Sequence, residues 1–150
     1  MTDTLYHALV LNLHQPHGNL EHLLRHNEWE AKEILFAIDR IPRSLQDYQD
    51  IGRVHLALSG TLLEDLTNSE FQSKVYGIVD CGSLLWQLRN TRVIDMLGTA
   101  YYHPVMPLVP PSDWETHLQR WRGMAHRQFF NSDLQGFWPP EMGFCMEMIP

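Results

Sequence analysis

Three helix starts can be read along this chain where a residue that can cap a helix is followed, three positions on, by a glutamate: Asn27 and Glu30, Thr61 and Glu64, Ser112 and Glu115. In each pair a short polar side chain can accept from an unpaired amide at a helix start while the acid reaches back to the capping residue. Short apolar runs stand between these helix starts. Residues 5–13 are too short and too continuously apolar for an amphipathic helix and read as a buried strand. Residues 53–58 alternate Val54, Leu56 and Leu58 with His55 and Ala57, the period of a second strand. Strands that alternate with helices of this length pair in parallel through right-handed crossovers, so the fold class is α/β, built of β/α repeats.

The remaining segments fit the same rhythm. A polar loop with Pro16 and Gly18 leads to the helix capped by Asn27, which buries Ile34, Leu35 and Ile38; Pro42 then opens a second helical segment that ends at Gly52. Residues 70–89 read as helix despite Gly77 and Gly82, and residues 93–97 as a third strand. After the proline-rich stretch 101–111, Trp114, Leu118, Trp121, Ala125 and Phe129 share one helical stripe, which Asn131 and Ser132 loosen. Residues 134–138 read as a fourth short strand, broken by Pro139 and Pro140. An open doubly wound sheet and part of a barrel both satisfy this order. Four strands cannot close a barrel, so a barrel reading leaves edges to be covered by something outside the chain.

At 150 residues the chain is sized for one domain, with no internal repeat or linker. Eleven basic against 18 acidic side chains, a formal charge of -7, leave no electrostatic footprint for nucleic acid or an anionic membrane. Cys81 and Cys145 are far apart and fit neither a disulfide framework nor a thiolate zinc site, so reduced thiols are expected. The first apolar run follows Asp3 rather than a basic leader, and no run approaches the roughly 20 residues of a bilayer span. The expected location is the cytoplasm.

Sites in parallel α/β folds form where the strands' carboxyl ends meet their outgoing loops. Those loops carry His14, Gln15 and His17 after the first strand, Ser59 and Glu64 after the second, Tyr101, Tyr102 and His103 after the third, and Trp138 and Glu141 after the fourth. Glu141, in GFWPPEMGF, is expected to be held stiffly among the faces of Trp138 and Phe144, a setting suited to sugar chemistry. Plainer roles also fit some of these residues: Glu64 as a helix-capping carboxylate, His103 bonded to backbone ahead of Pro104, and Trp114 and Trp121 as core. His14 and His17 raise a metal reading, but Pro16 forbids the helical spacing of paired metal-binding histidines and no third ligand is identifiable. Hydrogen bonding to a hydroxyl-rich ligand is the better functional alternative, with no metal or cofactor.

The ordered set LNLHQPH (11–17), SGTLLE (59–64), YYHPVMPLVP (101–110) and GFWPPE (136–141) resembles the N-terminal part of the family 57 glycoside hydrolases. The resemblance covers most of the chain. It implies the first half of an incomplete (β/α)7 barrel, with residues 1–150 an N-terminal portion of the catalytic domain, and retaining action on α-glucans of the amylase, glucanotransferase or branching kind. By motif, Glu141 takes the place of the nucleophile and His14 that of a histidine lining the donor sugar site. Glu64 falls in the second motif, and Gln15, His103 and Trp138 join the substrate-binding set.

Retention requires a second carboxyl group about 5 to 5.5 Å from the nucleophile. The family's acid is an aspartate in a motif downstream of the nucleophile, a position beyond Pro150; Asp113, at a helix start, and Glu147, on the next helix or loop, do not replace it. The chain is therefore expected to be a truncated enzyme, inactive alone, whose partners are an α-glucan and the missing C-terminal part of the barrel. Two other readings stand beside this one: a non-catalytic carbohydrate-binding remnant, and a metal-dependent polysaccharide deacetylase using His14 and His17 on a related barrel.

Overall fold

The computed structural model describes residues 7–129, 134 and 136–149. Residues 5 and 6 of the expected first strand, Asn131 and Ser132 beyond the long helix, and Gln135 of the expected fourth strand lie outside the described residues.

Strands β1 (Leu9–Leu13), β2 (Val54–Leu58) and β3 (Ile94–Leu97) form a parallel sheet in the order β1-β2-β3. Leu11 pairs with Leu56 and Leu56 with Met96, so the strands keep one register across the sheet. Because side chains alternate across a strand, Leu11, Leu13, Leu56, Leu58, Ile94 and Met96 share one face and join the main apolar core. The other face presents Val10, Asn12, His55, Ala57, Asp95 and Leu97. It is the more polar of the two, with Asp95 exposed and His55 partly so.

Helices α1 (Asn19–His26) and α2 (Glu28–Ser44) connect β1 to β2; α3 (Gly60–Thr67), α4 (Ser69–Val75) and α5 (Cys81–Asn90) connect β2 to β3; α6 (Pro111–Phe129) follows β3. The expected caps are reassigned in several places. Asn27 does cap α2, accepting from the Glu30 amide at 3.4 Å while its own amide donates to the Glu30 carboxylate at 2.8 Å. Helix α3 is capped by Ser59, which accepts from the Leu62 amide at 3.3 Å, so Thr61 and Glu64 are freed from the capping role expected of them. The 70–89 helix is split in two, because Asn68 and Asp80 each start a helix of their own by accepting from backbone amides. Helix α6 begins on Pro111, whose missing N–H is no loss at a first turn, and Ser112 lies inside it instead of capping it.

Two further expectations are corrected. Pro42 lies buried within the last turn of α2 and does not restart a helix; Leu45 closes α2 and Tyr48 ends the short 3₁₀ turn (Gln46–Tyr48) that follows. The segment expected as loop after β1 holds α1, introduced by Gly18 at φ 75°, a conformation in which its own amide-rich turn needs no side-chain cap. Leu20, Leu23 and Leu24 stand at i, i+3 and i+4 on α1, a short apolar face that the loop reading passed over.

Trp121, 1% exposed, donates its indole N–H to the Leu58 carbonyl at 2.6 Å and so ties α6 to the carboxyl end of β2. Among the described residues the expected fourth strand is reduced to one parallel bridge, Gly98 to Phe137, with the Gly98 amide donating to Gly136 O at 3.0 Å and the Trp138 amide to Gly98 O at 2.8 Å. Pro139 and Pro140 follow at once and have no amide to extend the ladder. Cys81 is buried and Cys145 half-buried, both free thiols, and burial pushes the Cys81 thiol up to about 11. Among the described residues no helix is long and apolar enough to cross a membrane.

Candidate active site

Strand β1 delivers Asn12 on the polar sheet face and, one step past its end, His14. The His14 ring stacks on that of His103, centroids 4.2 Å apart and planes 18° from parallel. His103 has a side chain only 1% exposed and a φ of 57°, and its Nε2 lies 3.3 Å from Glu141 Oε1 and 3.3 Å from the Asn12 amide. Loops from three parts of the sheet thus converge on one imidazole. This overturns the simple backbone role for His103: its side-chain partners are Asn12 and Glu141.

The charge states follow from burial. Desolvation first, then the neighbouring His103, lowers His14 to about 4 against the upward pull of Glu141. Desolvation also lowers His103, with Glu141 opposing. Both rings are therefore neutral near pH 7. A neutral His103 places its single proton on Nε2, where the carboxylate accepts it. Its Nδ1, buried without a partner, is then a bare acceptor instead of a stranded donor. The Asn12 amide nitrogen faces the same Nε2 at 3.3 Å.

Glu141 occupies the 3₁₀ turn Pro140–Met142, where it and Met142 both take left-handed conformations, φ 53° and 57°. Two consecutive non-glycine residues in that region cost on the order of 1 kcal/mol or more each. The turn aims the carboxylate at His103. The expected aromatic enclosure is not what surrounds it: the side chain is 66% exposed, its close neighbour is an imidazole, and Phe144 is itself 54% exposed. A double proline followed by two left-handed residues turns the chain too sharply to wrap the carboxylate in its own flanking rings.

Glu64, expected as a cap by one reading, accepts from the Tyr101 hydroxyl at 2.9 Å. Gly60 permits this approach, since a Cβ there would come within 2.2 Å of the Tyr101 ring. Burial, with the Glu64 bond added, pushes the Tyr101 phenol up to about 12. Gln15 is pinned at both ends: its amide oxygen accepts from Asn19 at 2.8 Å and its carbonyl from the Thr61 hydroxyl at 2.7 Å. Trp138 accepts through its carbonyl from Thr99 at 2.9 Å, while its indole N–H is buried with no partner. A cleft of about 500 Å³ opens beside Glu64 and Tyr101, with Tyr102 and Arg120 in its wall; neither Glu141 nor His103 lines it.

His14 and His17 part company. His17 Nδ1 lies 3.8 Å from Asp65 and 4.0 Å from Glu64, while His14 faces His103. Among the described residues no three acidic, histidine or cysteine side chains are grouped to hold a metal ion. The residue that sequence reasoning missed is Asn12. Its signal was present, a polar amide in the middle of a strand otherwise apolar.

A parallel α/β sheet with a carboxylate and neutral imidazoles at its carboxyl rim defines an enzyme-like α/β protein. The chain belongs to glycosyl hydrolase family 57, whose family model matches residues 8–150. At family level this makes it a glycosidase-type enzyme with a carbohydrate substrate. A comparison with curated proteins gave no match.

Proposed function

We propose that residues 1–150 form the leading wall of a (β/α)7-type barrel acting with retention on α-glucans, and that Glu141 is its nucleophile. The barrel reading is compatible with the strand order, β1-β2-β3, which one half of a doubly wound sheet shares. It is supported by the core, which lies on one sheet face, while the polar face bearing Asn12, His55 and Asp95 is the one a barrel turns inward.

The observation that carries the catalytic reading is the 3.3 Å contact of Glu141 with the buried His103. In the proposed step Glu141 attacks the anomeric carbon of a glucosyl unit and forms a covalent glycosyl-enzyme. The His103 N–H fixes which carboxylate oxygen is held and which is free to attack. His14, Gln15 and Glu64 offer donors and acceptors to sugar hydroxyls, and Trp138 an apolar surface. The titratable neighbours of Glu141 are imidazoles; we assign the proton donor to an aspartate outside these 150 residues. The isolated chain then has a nucleophile but no acid, and is inactive on natural glucans.

A substrate that needs no acid separates these claims. A ring-fluorinated α-glucosyl fluoride loses fluoride without protonation and releases its covalent product slowly. Intact mass after incubation is expected to show one glycosyl adduct, mapping to Glu141 and absent in Glu141→Gln. An adduct elsewhere, or none, overturns the nucleophile assignment. Hydrolysis of an α-glucan by the isolated chain, lost in Glu141→Gln, overturns the claim of inactivity.

A further inference from the structure

At the other end of the sheet from Glu141, where the chain enters β2 and β3, a hollow of about 170 Å³ lies between the last turn of α5 and the 3₁₀ turn after α2. Its wall includes Trp86, Gln46, Gln49, Gln87, Asn90 and Thr91, and no lining residue is charged. That composition is unusual on a surface whose chain carries 29 charged side chains, 11 basic and 18 acidic. Trp86 is 62% exposed.

Singly exposed aromatics are common and need no explanation. Trp29, 71% exposed, is of that kind, sitting in a turn of α2 with Glu28, Glu30, Lys32 and Glu33. Trp86 differs in what stands round it. Gln49 is fully engaged, donating to the Leu45 carbonyl at 2.9 Å and accepting from the Arg92 amide at 3.3 Å, so it sets the wall rigidly. Gln46 donates to the Gln87 amide oxygen at 3.2 Å, and Asn90 donates to the Trp86 carbonyl at 2.7 Å. These bonds hold both amides and leave Gln46 Oε1 and Asn90 Oδ1 without partners among the described residues, on exposed residues beside the indole. An indole face offers an apolar platform to the C–H face of a pyranose ring, and preorganised amides accept from its hydroxyls.

We propose that this hollow is a second, non-catalytic α-glucan site, in which Trp86 stacks on one glucosyl ring and Gln46 and Asn90 accept from its hydroxyls. The choice of an α-glucan rests on the function proposed above; the existence of a sugar site rests on the hollow itself. By the length of the strands the two sites are roughly 15 Å or more apart, so a chain held at Trp86 is tethered without occupying the Glu141 rim.

Electrophoresis through native gels containing dissolved amylopectin tests it. The 150-residue chain is expected to be retarded, Trp86→Ala to raise the apparent Kd about tenfold, and the double variant Gln46→Ala, Asn90→Ala to raise it in the same direction. Trp86 is too exposed for its loss to unfold the protein, and glycosyl-fluoride labelling of Glu141 in Trp86→Ala is expected to match the unaltered chain. No retardation of the unaltered chain, or equal retardation of Trp86→Ala, overturns the surface site even where Glu141 is labelled. Loss of Glu141 labelling with Trp86-dependent retardation intact overturns the catalytic reading and leaves this site standing. Equal Trp86-dependent retardation by a soluble β-glucan overturns the α-glucan assignment.

Discussion

At the scale of single residues the site depends on one backbone conformation as much as on side-chain chemistry. His103 holds φ at 57°, a region that asparagine tolerates and most side chains do not. His103→Asn keeps both the conformation and a donor, whereas His103→Ala loses the donor. The rate of glycosyl-fluoride labelling at Glu141 is expected to fall about tenfold or more in His103→Ala, the worth of a hydrogen bond to a charged group, and to recover in part in His103→Asn. Equal rates in the two variants would show that His103 only fills space. Asp65 yields a second residue-scale prediction. Burial pushes its carboxyl up to about 6, with His17 opposing and Glu64 and Glu21 adding to the rise. A folded pKa raised above the unfolded value of about 3.9 means that Asp65 favours folding below that pH and that this contribution is lost as pH rises through 6. Asp65→Asn removes the penalty, so it is expected to unfold a few degrees higher than the unaltered chain at pH 7, with the advantage gone at pH 4. That His14, His103 and Glu141 come to one rim was expected from the sequence, because His14 and His103 follow strands and Glu141 follows the segment that bridges to Gly98. Their mutual contacts were not, since the left-handed turns at His103 and Glu141 leave no pattern when the residue is not glycine.

At the scale of elements, three strands and the helices α2 and α6 were readable, and of the three expected helix starts the Asn27 cap held. Apolar period alone located β2, β3 and the Trp121 stripe of α6. The S/T-x-x-E rule misassigned α3 because two hydroxyls, Ser59 and Thr61, stand near its start and sequence does not say which faces the amides. The structure gives the cap to Ser59 and uses Thr61 to bind the Gln15 carbonyl, which turns a capping motif into a clamp on the loop after β1. Helix α4, only seven residues long, relies on Asn68 accepting from two amides, at 2.9 and 3.0 Å. Asn68→Ala is expected to cost about 1 kcal/mol in urea unfolding. Gly60→Ala is a harsher change at the start of α3, because the added methyl meets the Tyr101 ring at 2.2 Å. It is expected to cost about 1 to 3 kcal/mol and to return the raised Tyr101 phenol toward the ordinary tyrosine range, readable by ultraviolet pH titration. Loss of stability with an unchanged tyrosine titration would mean the ring moves as a rigid unit with Glu64.

For the molecule as a whole, the deciding property is that its core lies on one face of the sheet. Sequence could not distinguish a barrel wall from a doubly wound sheet because both require the same strand–helix alternation; the difference lies in where the helices land. In a doubly wound fold both faces of a central strand are buried, and neighbouring positions on it are equally costly to alter. Here Leu56 is 1% exposed in the helix-side core, while His55, next to it on the central strand, lies on the open face opposite Asp95, 4.0 Å away. Leu56→Ala is therefore expected to cost about 2 to 5 kcal/mol, and His55→Thr, which keeps a strand-favouring side chain, to change stability by no more than about 0.5 kcal/mol. Urea denaturation of the two variants measures the contrast. Comparable losses at both positions would mean that the polar face is covered in solution, and with it would fall the reading of Asn12, His55 and Asp95 as the lining of an unfilled barrel interior.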